Sequence, residues 1–348
     1  MHAEEVARYP LAGTDSLRIS PSTTGGLILL EGTRCTALDS QLLKTAAFDI
    51  APPGHDLTLI ALEAGVLIGT EEGLSLYSFD GRETATLPFD PWGAGLRGAV
   101  AYFDDAIWSV HFPTGPTDLE LPWTLTRLRP DSLAITHQAS LSQVDALELE
   151  LFDTGDARVG IDLFNPPDYV GTLHATFKDG RLNVSDAVTR KEEHGDLRGR
   201  AYGRLVARTA YELLIAERTG ETLARSPLVD VFGADESGGS RDDLLYALPG
   251  PRRTFLGFTT NGHFGVLRMT GDAVRFERIV LADVQTRRAR HQLSNLATGF
   301  TGLVTREATN LTCVVPWGDR YITVHSDEHV GVDGIATDTE FRVWKLVT

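Results

Sequence analysis

Short apolar or alternating runs recur along the chain, each closed by Gly, Asp, Asn or Pro about ten residues on. That is the punctuation of β-strands joined by tight turns. Residues 57 to 89 show the unit: LTLIALE, GVLIGTE, GLSLYSF, a turn at Asp80-Gly81, then ETATLPF. The same order returns at 244 to 281 with LLYALPG, TFLGFTT, HFGVLRM, a turn at Thr270-Gly271-Asp272, and AVRFERIVL. Self-similarity of this kind marks a repeat architecture, in which a sheet too small to bury its own faces packs on its neighbours. Further copies fall at 16–49, 98–141 and 146–188. A weaker copy lies at 196–229, where RLVARTAYELLIAERTG also fits a helix with apolar positions three and four apart. The last run of the first copy, LLKTAAF, carries the same ambiguity.

The two ends of the chain complete each other. LTCVVPW (311–317), RYITVHS (320–326) and EFRVWKLV (340–347) supply three strands, and residues 5–11 have the alternation of an outer strand that would supply the fourth. The pattern therefore predicts one all-β domain over 1–348, a seven-bladed β-propeller of four-stranded antiparallel blades. The predicted blades are 16–49, 57–89, 98–141, 146–188, 196–229, 244–281 and 311–347 completed by 5–11, so that the N-terminal strand closes the C-terminal blade. Alternation predicts the faces as well. Leu74 and Leu76 should oppose Tyr77 and Phe79, and Ala106, Trp108 and Val110 should oppose Ile107. Fourth strands such as ETATLPF and AVRFERIV, with charge at alternate positions, should meet water.

FRVWKL at Phe341–Leu346 resembles the third strand of a WD40 repeat, and Gly54-His55 before the second copy is similar to that family's Gly-His start. Lys345 stands where the family has Asp, no other copy ends in Trp-Asp, and the Gly-His pair recurs only at Gly262-His263, inside a hairpin. The resemblance thus implies the architecture, a ring-shaped interaction platform, and not the family's His–Asp–Trp hydrogen-bond network.

Composition narrows the partners. With 48 acidic against 32 basic residues the formal charge is -16, which argues against nucleic acid and against anionic membrane surfaces, both of which attract basic proteins. There is no apolar run of membrane-spanning length, and Met1-His2-Ala3-Glu4-Glu5 opens with charge where a signal peptide would not, so a cytoplasmic protein is expected. Cys35 and Cys313 are too few for a disulfide framework and form no CxxC pair; both are expected to be buried.

Motif chemistry is sparse. Gly93-Ala94-Gly95-Leu96-Arg97-Gly98 matches GxGxxG, but the strand AVAYF follows it where a dinucleotide site needs a helix, so it reads as a connecting loop. No GxSxG, Walker loop or HExxH occurs. No cofactor is expected, except that Asp327, Glu328, Asp333, Asp338 and Glu340 hold enough oxygens for calcium; without the spacing of a calcium loop they read as a solvated connection. The segment 235–243, rich in Asp, Ser and Gly, reads as flexible. The basic cluster 286–291 reads as an exposed loop, and the sequons at Asn183 and Asn310 have no role in a cytoplasmic chain.

Propeller loops on one rim gather at the channel mouth and carry binding residues. In the predicted strand order that rim holds the blade-to-blade connections and those between second and third strands. Its candidates are Trp92, Arg97, Trp123, Asn165, Tyr169, His194, Arg241, Asn261 and His263. Trp, Tyr and Arg are the types that dominate interface energies. The expected function is a non-catalytic scaffold or recognition module for a protein or peptide. The alternative is a propeller hydrolase, a metal-dependent lactonase or glycan-active enzyme, with carboxylates converging at the channel.

Overall fold

Each group of four apolar runs forms an antiparallel sheet whose strands pair in chain order. The structure, a computed structural model, describes residues 2–11, 17–22, 24–50, 58–70, 73–88, 99–111, 123–141, 148–153, 158–165, 168–179, 181–184, 188–189, 195–201, 203–217, 221–250, 254–261, 263–279, 293–294, 301–302, 313–331 and 334–347. The fold is a seven-bladed β-propeller, and it divides into two compact units.

One unit holds blades 1 to 4. Blade 1 is Arg18–Pro21, Leu27–Glu31, Arg34–Leu38 and Lys44–Asp49; blade 2 is Thr58–Ala61, Gly65–Thr70, Gly73–Ser78 and Glu83–Pro88. Blade 3 is Ala99–Phe103, Ala106–His111, Trp123–Leu128 and Ile135–Leu141. Blade 4 is Glu148–Asp153, Arg158–Asn165, Asp168–Lys178 and Arg181–Val184, with Val188–Thr189 added on its third strand. The ambiguous last run of blade 1 is a strand, paired from Arg34↔Asp49 to Leu38↔Lys44.

The cores lie between blades. Tyr77 and Phe79 pack toward blade 1 with Leu30, Cys35 and Phe48, while Leu74 and Leu76 face blade 3. Ile107 joins that second cluster, whereas Ala106, Trp108 and Val110 face blade 4. The alternation read along these strands therefore assigns the faces correctly. Second strands are buried on both faces, as in Leu27–Glu31 and Gly65–Thr70, and fourth strands alternate with solvent, as in Glu83–Pro88. Burial pushes the Cys35 thiol up to about 12, so it packs as a small apolar group. Polar links also cross the seams: Ser20 Oγ accepts from the Ala61 amide at 3.0 Å.

The second unit holds blades 5 to 7. Blade 5 is Asp196–Ala201, Arg204–Arg208, Glu212–Glu217 and Thr222–Pro227; the helical alternative does not occur, and one short helix, Leu228–Phe232, follows the blade. Blade 6 is Leu244–Pro249, Phe255–Thr259, Phe264–Thr270 and Ala273–Ile279. Its first strand runs so close to that of blade 5 that a Cβ on Gly199 would lie 1.9 Å from the Ala247 carbonyl oxygen. Across the outer part of the same seam, Ser226 Oγ accepts from the Val274 amide at 2.9 Å.

Blade 7 is Cys313–Trp317, Arg320–Gly331 and Gly334–Val347, completed by His2–Leu11. The N-terminal strand pairs from His2↔Val347 to Leu11↔Thr339 with an irregularity between Glu5 and Ala7. Arg8 and Arg342 stand directly opposite each other, a repulsive pairing that is offset by Glu5 and Glu340. Arg342 lies 2.6 Å from Glu340 and 3.8 Å from Glu5, and Arg8 lies 3.7 Å from Glu340. Tyr9 stacks on Phe341 at 5.1 Å. Trp344, the tryptophan of the FRVWKL run, donates Nε1–H to Thr323 Oγ1 at 2.6 Å, both fully buried.

The acidic stretch after residue 326 corrects its reading as a connection. The second and third strands stay paired as far as Gly331↔Gly334, so Asp327 and Asp338 are backbone partners on a hairpin with only 332–333 between its strands. No helix among the described residues is long and apolar enough to cross a membrane.

Candidate functional site

At one end of blade 6 the connection from blade 5 meets the hairpin between the second and third strands. The helix Leu228–Phe232 stops at Gly233, whose φ of 86° suits a residue without Cβ. The chain then turns on Asp235, which accepts from the amides of Ser237 and Gly239, both at 2.9 Å, and from the Ser237 hydroxyl at 2.7 Å. The Ser237 hydroxyl first, and then these amides, hold its carboxyl below the usual carboxylate range. Arg241 N donates to Gly233 O at 2.8 Å, which closes the turn. The segment 235–243, expected to be flexible, is thus tied down by its own side chains.

Asp242 lies at the centre. It is 7% exposed, and five donors reach it. Oδ2 accepts from the Thr259 hydroxyl at 2.6 Å and from His263 Nδ1 at 2.7 Å. Oδ1 accepts from the Thr260 hydroxyl at 2.9 Å, from the Asn261 amide at 3.0 Å and from the Asp243 amide at 2.9 Å. An ionised carboxylate only accepts, so His263 carries its proton on Nδ1 and keeps Nε2 for another partner. Thr259 Oγ1 in turn accepts from the His263 amide at 3.0 Å, and Asn261 Nδ2 donates to Arg241 O at 2.9 Å. Beneath the cluster Asp243 takes a two-pronged contact from Arg208 of blade 5, at 3.0 Å from Nε and 2.7 Å from Nη2.

This arrangement spends the Asp242 carboxylate on its own donors. A carboxylate offers about four lone-pair sites, and five donors already share them. Taking up a metal ion, or a proton from a substrate, would first require breaking a bond in the cluster. The hydroxyls of Thr259 and Thr260 both donate to Asp242, and Thr259 is fully buried, out of a ligand's reach. What remains for a ligand is His263 Nε2, the Asn261 side-chain oxygen and the exposed Arg241 guanidinium.

Of the nine expected rim residues, Arg241, Asn261 and His263 come together here. Asn165 and Tyr169 lie in the hairpin between the second and third strands of blade 4, with Tyr169 opposite Phe164 and Asn165 opposite Asp168; their side chains are outside the described residues. Trp123 is 2% exposed and packs in the core between blades 3 and 4, away from the rim. Trp92, Arg97 and His194 lie outside the described residues, as do the GxGxxG stretch, the cluster 286–291, Asn310 and the side chains of Cys313, Asp327, Glu328, Asp333 and Asp338. Among the described residues no three His, Cys, Asp or Glu side chains gather as metal ligands. Sequence reasoning missed Asp242, Thr259 and Thr260. The available signal was an Asp two residues before a first strand, combined with hydroxyls at the end of the next.

No protein-family model matches the sequence, and no curated protein matches it. In three dimensions the chain is similar to BamB from Moraxella catarrhalis, at a TM-score of 0.51 and 11% identity over 99% of this chain and 100% of that one. It is similar to the WD40 domain of Pan2 from Neurospora crassa, at 0.50 and 9% over 98% and 94% of the two chains. A chain of the mitotic checkpoint complex matches at 0.52 and 8% over 99% and 95%. Likeness at such low identity carries architecture and not activity, and the architecture it carries is that of a β-propeller.

Proposed function

We propose that the protein is a non-catalytic recognition module that binds a protein or peptide at the end of blade 6, through Arg241, Asn261 and His263. The supporting observation is the saturated Asp242 carboxylate. It fixes the backbone of the hairpin and the Nδ1 side of His263, so three polar side chains are presented on a rigid base. Preorganisation of this kind lowers the ordering cost of binding. The same saturation weighs against Asp242 as the general base or metal ligand of a hydrolase, because either role needs free lone pairs.

The test is affinity capture from cells of the source organism, comparing the wild-type chain with the triple variant Arg241→Ala, Asn261→Ala, His263→Ala after matching their thermal midpoints. A defined set of proteins retained by the wild type and lost by the triple variant is the expected result. Identical captured sets, or none above background, would overturn the reading.

A further inference from the structure

A second cluster runs across blade 3 and differs from the first in having donors without acceptors. Trp108, Arg127 and His137 are lateral neighbours on its second, third and fourth strands, paired Trp108↔Arg127 and Arg127↔His137. Phe103 of the first strand, diagonal to the row, stacks its ring on Trp108 at 5.9 Å. Phe177 of blade 4 covers it from across the seam. The Arg127 guanidinium carbon lies 5.7 Å from the Trp108 ring centre and 5.4 Å from that of Phe177, and His137 meets Phe177 edge-on at 3.9 Å. Both arginine distances are within cation–π range.

The rings orient the guanidinium and leave its N–H groups without an acceptor, since no carboxylate, carbonyl or hydroxyl among the described residues takes them. Two other partly buried arginines are treated differently. Arg208 is held by Asp243 at 2.7 Å and Arg342 by Glu340 at 2.6 Å. The flanking outer strands, ITHQASL at Ile135–Leu141 and RLNV at Arg181–Val184, are free of acid in so acidic a chain. On the second of them Leu182 and Val184 turn toward the seam, and the nearest acidic side chain along the chain is Asp179 in the adjoining turn. Phe177 is 39% exposed, a large apolar side chain left in water beside the cation.

We infer that this seam docks an acidic, extended peptide segment of a partner protein. A carboxylate of the segment is held by the Arg127 guanidinium, and a neighbouring aromatic or apolar residue lies on Phe177. The guanidinium fork matches a carboxylate in two parallel hydrogen bonds, and its faces are already occupied by rings, so little side-chain freedom remains to be lost on binding. The inference rests on the reading of the protein as a recognition module, but it uses a surface that shares no residue with the end of blade 6.

The probe is a fluorescein-labelled dodecapeptide of repeating Asp-Phe-Ser, followed by anisotropy, with the Asn-Phe-Ser repeat as its neutral counterpart and inorganic phosphate as competitor. The Asp repeat should bind the wild type at least about tenfold tighter than the Asn repeat, and Arg127→Gln should remove that difference. Arg127→Lys, which keeps the charge but not the planar stack, should recover only part of it. Phe177→Ala, an exposed position that leaves the blade intact, should weaken both peptides. The blade 6 triple variant should bind like the wild type. Equal binding of the Asp and Asn repeats, an unchanged Arg127→Gln, or no binding at millimolar protein would overturn the seam. Loss only in the triple variant would do so too, while leaving the blade 6 reading standing. Displacement by phosphate at concentrations that leave ionic strength unchanged would also overturn the peptide in favour of a free anion.

Discussion

The end of blade 6 and the seam between blades 3 and 4 both bring a histidine and an arginine together with aromatic or hydroxyl groups, yet their polar atoms are balanced in opposite ways. In the first, one buried carboxylate receives five donors. In the second, a guanidinium is held by ring faces, and Trp108 Nε1 and His137 Nδ1 are buried with no hydrogen-bond partner. A satisfied polar cluster contributes rigidity, because breaking any member leaves a desolvated group behind. A cluster with unmet buried groups costs stability in the free protein. Blade 6 supplies a fixed frame, whereas the seam holds its arginine by ring faces and leaves two buried nitrogens unpaired.

The largest effect that tests this contrast is expected from Asp242→Ala. It leaves two threonine hydroxyls, two amides and a histidine without their shared acceptor, and should lower stability by about 3–5 kcal/mol. Asp242→Asn keeps one acceptor oxygen and should recover part of the loss. Urea unfolding followed by tryptophan fluorescence measures both. A midpoint for Asp242→Ala close to that of the wild type would mean that the blade 6 cluster is not the rigid element described.

A smaller pair of changes sharpens the comparison within second strands. Thr259 and Ser109 are both 0% exposed hydroxyl residues, on blades 6 and 3 respectively. Thr259 is bonded to Asp242, and Ser109 Oγ has no partner. Thr259→Val should therefore cost about 1–3 kcal/mol, since the carboxylate loses a donor it cannot replace from water. Ser109→Ala removes only an unmet hydroxyl, and should be neutral or stabilising by up to about 1 kcal/mol. Equal losses at the two sites would show that burial alone, and not pairing, sets the cost.

The architecture was readable because strand periodicity and turn chemistry agree over most blades, and because the face of each side chain follows from its parity along the strand. The same parity rule explains the misplacement of Trp123. It follows a long connection and reads as a rim residue, but it is the first residue of a strand, and its register opposite Leu141 turns it into the core. Residues 196–229 were ambiguous because Glu212–Glu217, ELLIAE, has good helix formers, and only pairing with Arg204–Arg208 and Thr222–Pro227 decides it. The acidic run after residue 326 was shortened because charged residues read as loop, whereas backbone pairing continues through them. Asp242 was hidden for a different reason. Its neighbours in sequence are loop formers, but three of its five donors come from 259–261 and a fourth from His263, on the next hairpin. The row through Arg127 was hidden likewise, since Trp108, Arg127 and His137 meet only through the registers of three strands.

The smallest expected effect tests how far the blade 6 frame extends toward solvent. Asp235 is fully exposed, and its carboxyl is lowered below its ordinary value mainly by the Ser237 hydroxyl, with the amides of Gly239, Ser237 and Gly238 adding to it. A depressed carboxyl stabilises the folded state above its unfolded value of about 3.9, and that contribution disappears as pH falls through the lower, folded value. The sign follows directly: the ionised form is the one that the turn holds. Asp235→Asn should therefore have a slightly lower urea midpoint than the wild type at about pH 7, and the gap should close only on acidification below about pH 4. Groups common to both chains cancel from the difference. A gap that is the same from neutral to acid pH would assign the turn to backbone geometry alone. The charged side chain would then be incidental, and the rigid part of the frame would end at Asp242.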